Sequence, residues 1–145
     1  MTEKIVFRQG NQQSEKGQSL VEMAMSLVIL LLLVGGVVDM GRAFFTFMAL
    51  RDSVQEGALY GSINPTLTQE IKNHVLDSSN MTPDMIASDD ITVTVVGTAC
   101  TGNGIRVTAI YPDFPITMPF MGAILGQTIP ISATVVDTIL SPACN

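Results

Sequence analysis

One carboxylate in this sequence stands at the start of an apolar block. Glu22 directly precedes residues 23 to 38, a run of 16 residues without a charged side chain. A helix needs about 20 apolar residues to cross a membrane, so the span is long enough only if residues 18 to 22 also enter the bilayer. A carboxylate within a membrane is costly unless it is neutral or paired, and such groups usually have a function. Glu22 is therefore predicted to have a partner.

The two cysteines are the next candidates for chemistry. Cys100 and Cys144 both follow the apolar block, in the part expected outside the cytoplasm, where disulfides persist. This placement favours a Cys100–Cys144 disulfide, and two buried free thiols are the alternative. Two cysteines 44 residues apart and the single histidine, His74, do not make a zinc site. We expect no bound metal.

The remaining polar residues do not form a catalytic group. His74 is predicted to be a solvated helix residue, because no serine or cysteine nucleophile can be paired with it. Asp89 and Asp90 lack the oxygen ligands of a calcium loop and are predicted to cap or precede a strand. The glycine-rich residues 97 to 104 follow a strand without a helix after them, which indicates a turn rather than a phosphate-binding loop. The sequence predicts neither an enzyme nor a cofactor.

The charge distribution predicts a membrane orientation. The net charge of -6 argues against nucleic acid as a partner, since such binders need a basic face. Residues 1 to 17 carry a net +1 and residues 18 to 145 a net -7. Because Lys and Arg are in excess on the cytoplasmic side of a span, we expect the N-terminus inside and the C-terminal domain outside. Arg42, just beyond the span, weakens this argument slightly.

Hydrophobic periodicity predicts one long helix. Residues 1 to 16 have no such period and are predicted to be a disordered leader. The helix is predicted from Gln18 to Ser62, with residues 18 to 40 as the membrane or filament-core part. Residues 41 to 63 are its amphipathic continuation. One apolar packing face of that continuation is expected to contain Phe44, Phe47, Val54 and Ala58.

The rest of the chain, residues 64 to 145, is predicted to be a small extracytoplasmic domain. Alternating apolar and polar residues indicate strands, and Pro112 to Pro119 indicate a loop. A helix laid across an antiparallel sheet buries both apolar faces, so we predict an α+β fold with about three strands packed on the long helix. The predicted elements are a helix at 68 to 78, strands at 91 to 95, 105 to 111 and 128 to 140, and one helical turn at 120 to 125.

The boundary of the apolar block resembles the cleavage site of type IV prepilins and their relatives. The stretch in question is Lys16-Gly17-Gln18-Ser19-Leu20-Val21-Glu22. The resemblance implies that a membrane aspartyl peptidase cuts after Gly17, so that Gln18 becomes the mature N-terminus. It also implies that Glu22 pairs with the free amine of Gln18 in a neighbouring subunit, which fixes the register between subunits. An ordinary signal anchor is the alternative.

The helix as a whole is similar to the TadE-like family, the pseudopilins of the tight-adherence (Tad/Flp) pilus system. The similarity is carried by three segments, at residues 17 to 24, 39 to 45 and 53 to 60, and by the closing strands at 107 to 136. Gln55 stands where the family commonly has arginine. Met23 stands where Tad-type pilins and pseudopilins commonly have tyrosine, which bears on recognition by the peptidase.

This resemblance implies a pilin-like fold and a structural role in pilus assembly and adhesion. The implied partners are other pilin or pseudopilin subunits, a prepilin peptidase, the pilus assembly machinery and membrane lipid. The implied location is the cytoplasmic membrane and then an extracellular pilus. Two other readings stay open. One is the main structural pilin of an unusual filament, and the other is an unprocessed, membrane-anchored extracellular binding module.

Overall fold

The computed structural model describes residues 13 to 79, 85 to 118 and 126 to 144, with side chains from residue 17 onward. In these residues two helices accompany a three-stranded antiparallel sheet of order β1-β2-β3, so the predicted α+β class is confirmed. The elements are α1 (Gln13–Ile63), α2 (Thr68–Ser78), a 3-10 turn (Ser88–Asp90), β1 (Ile91–Val96), β2 (Gly104–Pro115) and β3 (Thr128–Thr138).

The first helix contains 51 residues and is about 75 Å long. It begins at Gln13, so the end of the leader that was expected to be disordered is helical, whereas residues 1 to 12 lie outside the described part. The helix ends as predicted, before Pro65, because a residue that precedes proline is disfavoured in helical conformation. The amide of Asn64 donates to the Tyr60 carbonyl and closes the last turn, at 3.1 Å.

The sheet lies along the second half of α1. Alternate residues of β2 and β3 point towards the helix and are buried with Leu50, Val54 and Ala58. Ile105, at the start of β2, packs against Gly61, and Phe114, near its end, lies under Arg42. The strand β2 therefore runs back along α1, so that the β2–β3 end of the sheet is the end nearest to the apolar block.

The strand β2 is longer than predicted. A loop was expected from Pro112, but the strand continues to Pro115, with a register shift between Tyr111 and Phe114. Pro112 has no N–H for the ladder, and a bulge lets a strand pass such a residue without ending. The helical turn predicted at residues 120 to 125 falls outside the described residues. The bounds predicted for α2 are confirmed.

The predicted apolar face of α1 divides into two. Val54 and Ala58 are fully buried beneath the sheet, whereas Phe44 and Phe47 are exposed. At about 100° per residue, Phe47 lies between Val54 and Ala58 around the helix axis, but it is nearer to the apolar block along that axis. The burial of this face therefore ends before Phe47, and a packing role for Phe44 and Phe47 stays a prediction.

Candidate functional site

The apolar half of α1 projects beyond the sheet without cover. Its large side chains from Leu20 to Val34 are mostly exposed, and Val37 and Val38 remain exposed further along. Within the described residues α1 is the one helix long and apolar enough to cross a membrane. An apolar surface of this extent indicates a lipid or protein contact, because soluble monomers rarely expose one.

The residues singled out for processing lie on this uncovered part. The helix is continuous through Gly17, and apart from the adjacent helix backbone no atom of the described residues lies within 4 Å of the position that a Cβ would take there. Gln18 and Glu22 are exposed, and since they are four residues apart they lie on the same side of the helix. No other described residue forms a hydrogen bond or ion pair with Glu22. The described part of the subunit therefore does not supply the partner predicted for this carboxylate.

A second acidic residue of α1, Asp39, is fully engaged by the chain itself. Its Oδ2 accepts hydrogen bonds from the amides of Thr117, at 2.9 Å, and Met118, at 2.6 Å. Its Oδ1 accepts a further hydrogen bond from the Thr117 hydroxyl. The Asp39 residue is only 9% exposed. A carboxylate next to the apolar block is thus satisfied by the segment that follows β2.

Arg42 completes this contact, which we call the Asp39 junction: Asp39, Arg42, Phe114, Thr117 and Met118. The Arg42 Nη1 lies 3.4 Å from Asp39 Oδ1 and 3.3 Å from Thr117 Oγ1. Its guanidinium lies 5.4 Å from the centre of the Phe114 ring, within range of a cation–π interaction. The junction thus fixes the end of β2 onto α1.

The junction also brings a side chain of the sheet end against the apolar block. The Met118 Cε lies 3.3 Å from the position that a Cβ would take at Gly36, and its Cγ lies 3.9 Å from the corresponding position at Gly35. Two consecutive glycines weaken a helix. Here they leave the space that Met118 occupies.

Sequence reasoning found one side of this junction and missed the other. The segment at residues 39 to 45 was singled out only by resemblance, and Thr117 and Met118 were assigned to a loop. The signal that could have pointed to Asp39 is energetic: an acid next to an apolar block needs a partner, and this holds for Asp39 as it does for Glu22. The partner lies 78 residues away in the chain, which no local pattern reveals.

We expect the Asp39→Ala substitution to lower the free energy of unfolding by about 1–3 kcal/mol, because it leaves two amides without their acceptor. The measurement is urea unfolding of the full chain in detergent, followed by the fluorescence of its two tyrosines. Asp52→Ala is the matched control, since Asp52 is an exposed acid on the same helix without a hydrogen bond in the described part. Equal unfolding midpoints for both variants would contradict the role given to the junction.

The opposite end of the sheet is held by the two cysteines. Cys100 and Cys144 are joined in a disulfide, with 5.0 Å between their Cα atoms. The Thr101 amide donates to the Pro142 carbonyl at 2.8 Å, and the Leu140 amide donates to the Ser62 carbonyl at 2.8 Å. The β1–β2 turn, the C-terminal segment and the end of α1 are thus tied together far from the apolar block.

A surface cluster joins α1 to α2. The Tyr60 hydroxyl donates to Glu70 Oε2 at 2.6 Å, and this hydrogen bond raises the pKa of Tyr60. The Tyr60 ring stacks on the exposed His74 ring, with 4.0 Å between their centres. His74 is solvated, as the sequence predicted, and contributes to this helix contact.

The comparison with protein families agrees with this geometry. A family model described as TadE-like protein matches residues 17 to 59, which include Gly17, Glu22 and the α1 side of the Asp39 junction. A comparison with curated proteins and one with solved structures gave no match. Over residues 17 to 59, the resemblance of this chain to the TadE-like family is confirmed.

Proposed function

We propose that this protein is a TadE-like pseudopilin, a structural subunit that assembles through α1 into a Tad/Flp-type pilus. The observation that carries this proposal is the uncovered apolar half of α1, which continues without a break into the helix that holds the sheet. Residues 18 to 40 would first span the cytoplasmic membrane and then enter the filament core. The domain formed by residues 64 to 145 would remain outside.

The need to bury this helix keeps the subunit either in lipid or in a filament. Full burial of one large apolar side chain is worth about 1.5–3 kcal/mol. The subunit itself leaves these side chains exposed from Leu20 onward, so their burial must come from lipid or from other helices of the same kind. Because α1 is continuous, transfer of its apolar half from lipid to a filament carries the sheet along as one body.

Processing after Gly17 would prepare this transfer. The leader contains Lys4, Arg8 and Lys16, and basic residues hold a chain at the cytoplasmic face of a membrane. A prepilin peptidase that removes residues 1 to 17 would release this anchor and create an amine at Gln18. Cleavage within a helix needs local opening of the backbone, and the glycine at this point lowers the cost of opening by about 1 kcal/mol relative to alanine.

The proposal is tested by the mass of the mature protein from cells that contain the pilus machinery. We expect the wild-type chain to begin at Gln18, and a Gly17→Leu variant to retain its leader because the larger side chain blocks the peptidase at the bond. Gly10→Leu is the matched control, since it changes a glycine within the leader and should still yield Gln18. An intact Met1 in the wild-type protein would instead support a membrane-anchored binding module.

A further inference from the structure

We propose that, before assembly, the β2–β3 end of the sheet and the facing part of α1 are immersed in the outer lipid leaflet. This inference rests on the proposed membrane-anchored state. The surface concerned is a ring of large apolar side chains just beyond Asp39, which we call the membrane-side belt. It consists of Met40, Phe44, Phe45, Phe47 and Met48.

The membrane-side belt faces outward from the subunit. Met40 is 76% and Phe45 74% exposed, and the other three side chains of the belt are also exposed. The sheet covers one side of α1 here, and these side chains occupy about 160° of the circumference of the helix. The belt continues the apolar surface of residues 20 to 38 and ends before Arg51 and Asp52, the next charged residues on α1.

Two charges lie near the start of this surface: Asp39 is buried, whereas the Arg42 side chain is 43% exposed. Asp39 is buried under the end of β2 and accepts the amides of Thr117 and Met118. Arg42 is turned towards Asp39 and the Phe114 ring. A paired and hydrogen-bonded carboxylate is the form in which an acid is tolerated at membrane depth.

Helix length places the belt in the outer headgroup layer. The proposed span ends at Met40, so the hydrocarbon layer ends near this residue. The headgroups add about 5–7 Å, or about three to five residues of helix, and so reach to about Phe45. Aromatic side chains favour this layer because one part of it is apolar and the other is hydrated.

The rise per residue along α1 also places the end of the sheet below the lipid surface. Met118 packs against Gly36, about four residues or 6 Å deeper than Met40. This depth is within the range of about 5–10 Å that interfacial elements reach. The sequence agrees, since residues 114 to 136 contain no charged side chain. The Asp39 junction holds the sheet end at this depth.

The test uses tryptophan as a depth probe, because the chain contains none of its own. Phe44→Trp and Phe45→Trp are prepared in the full chain and reconstituted in phosphatidylcholine vesicles whose lipids carry bromine on the upper acyl chain. Both positions are exposed, so neither substitution disturbs the core. We expect both tryptophans to lose at least about half as much emission to the brominated lipid as a tryptophan in the span loses.

Two control positions separate the possible failures. Leu30→Trp lies in the span, and Leu59→Trp is exposed on α1 about 21 Å beyond Phe45. Quenching of Leu30→Trp without quenching at positions 44 and 45 would overturn the immersion alone. Absence of quenching at Leu30→Trp would overturn the membrane-anchored state itself. Emission at 44 and 45 that changes with the protein-to-lipid ratio, but not with bromine, would show a second copy on the belt and would also overturn the proposal.

Discussion

Gly57→Ala is expected to lower the free energy of unfolding by about 1–2 kcal/mol. A Cβ at this position would overlap Val75 Cγ2 and lie 3.4 Å from the Ile71 carbonyl oxygen. Val75 is fully buried in α2 and cannot move aside freely. Overpacking of this kind costs about 1–3 kcal/mol, and the better helix propensity of alanine offsets at most about 1 kcal/mol of it. Urea unfolding of the full chain in detergent gives the value.

The matched control is Gly41→Ala on the same helix. No atom lies within 4 Å of the Cβ position at Gly41, so the substitution should be neutral or stabilising by up to about 1 kcal/mol. Gly61→Ala should resemble Gly57→Ala, because its Cβ would lie 2.7 Å from Ile105 Cδ1. If the Gly41 and Gly57 variants unfold at the same urea concentration, the close contact between α1 and α2 at Gly57 is wrong.

Glu22→Ala is expected to leave membrane insertion intact and to prevent assembly. If Glu22 pairs with the Gln18 amine of a neighbouring subunit in the filament, its loss strands that amine in an apolar core. Such a loss costs about 3–5 kcal/mol, which corresponds to a decrease of more than about 100-fold in the association constant of one subunit. The measurement compares the amount of the protein in sheared filaments with the amount in the membrane fraction.

Asp52→Ala is the control for charge, because it removes one exposed carboxylate from α1 outside the apolar block. It should enter filaments like the wild-type protein. Glu22→Gln separates charge from size, since it keeps the side-chain volume and a hydrogen-bonding group but not the negative charge. Pili that incorporate Glu22→Ala at the wild-type level would show that the proposed pairing is wrong. They would leave the packing of α1 as the source of assembly.

The Asp39 junction explains the role of residues in the segment 39 to 45, which the sequence analysis identified only by its resemblance to the TadE-like family. Asp39 is buried against the segment that follows β2, and the guanidinium of Arg42 lies against Asp39 and the Phe114 ring. The same contact fixes the end of the sheet along α1, so in the proposed membrane-anchored state it would set the distance of the domain from the lipid. A change at the junction is therefore expected to affect both stability and the depth of the sheet.

The segment at residues 53 to 60, which resembles the TadE-like family, also has a structural explanation. Gly57 and Gly61 face Ile71 and Val75, so α2 approaches α1 more closely than a larger side chain would allow. Tyr60, in the same segment, joins the two helices from the surface through Glu70. The resemblance includes Gly57 and Tyr60, and their contacts with α2 show what they do within one subunit.

The sequence by itself determined the elements that depend on local pattern. Hydrophobic periodicity and proline positions gave the end of α1, the bounds of α2 and the start of all three strands, because period and backbone restriction act within a few residues. The apolar block and the order of charges around it indicated a membrane span for the same reason. Glu22 stood out because the cost of a charge in an apolar environment does not depend on the fold.

Only the tertiary structure decided which surfaces are covered. It buried Val54 and Ala58 and left Phe44 and Phe47 exposed, because the length of α1 that the rest of the domain covers depends on residues far along the chain. It continued β2 past Pro112 through a bulge, since the partner strand is more than ten residues away. It also paired Asp39 with an amide 78 residues distant. Such contacts depend on the path of the whole chain, which the spacing of residues in the sequence does not predict.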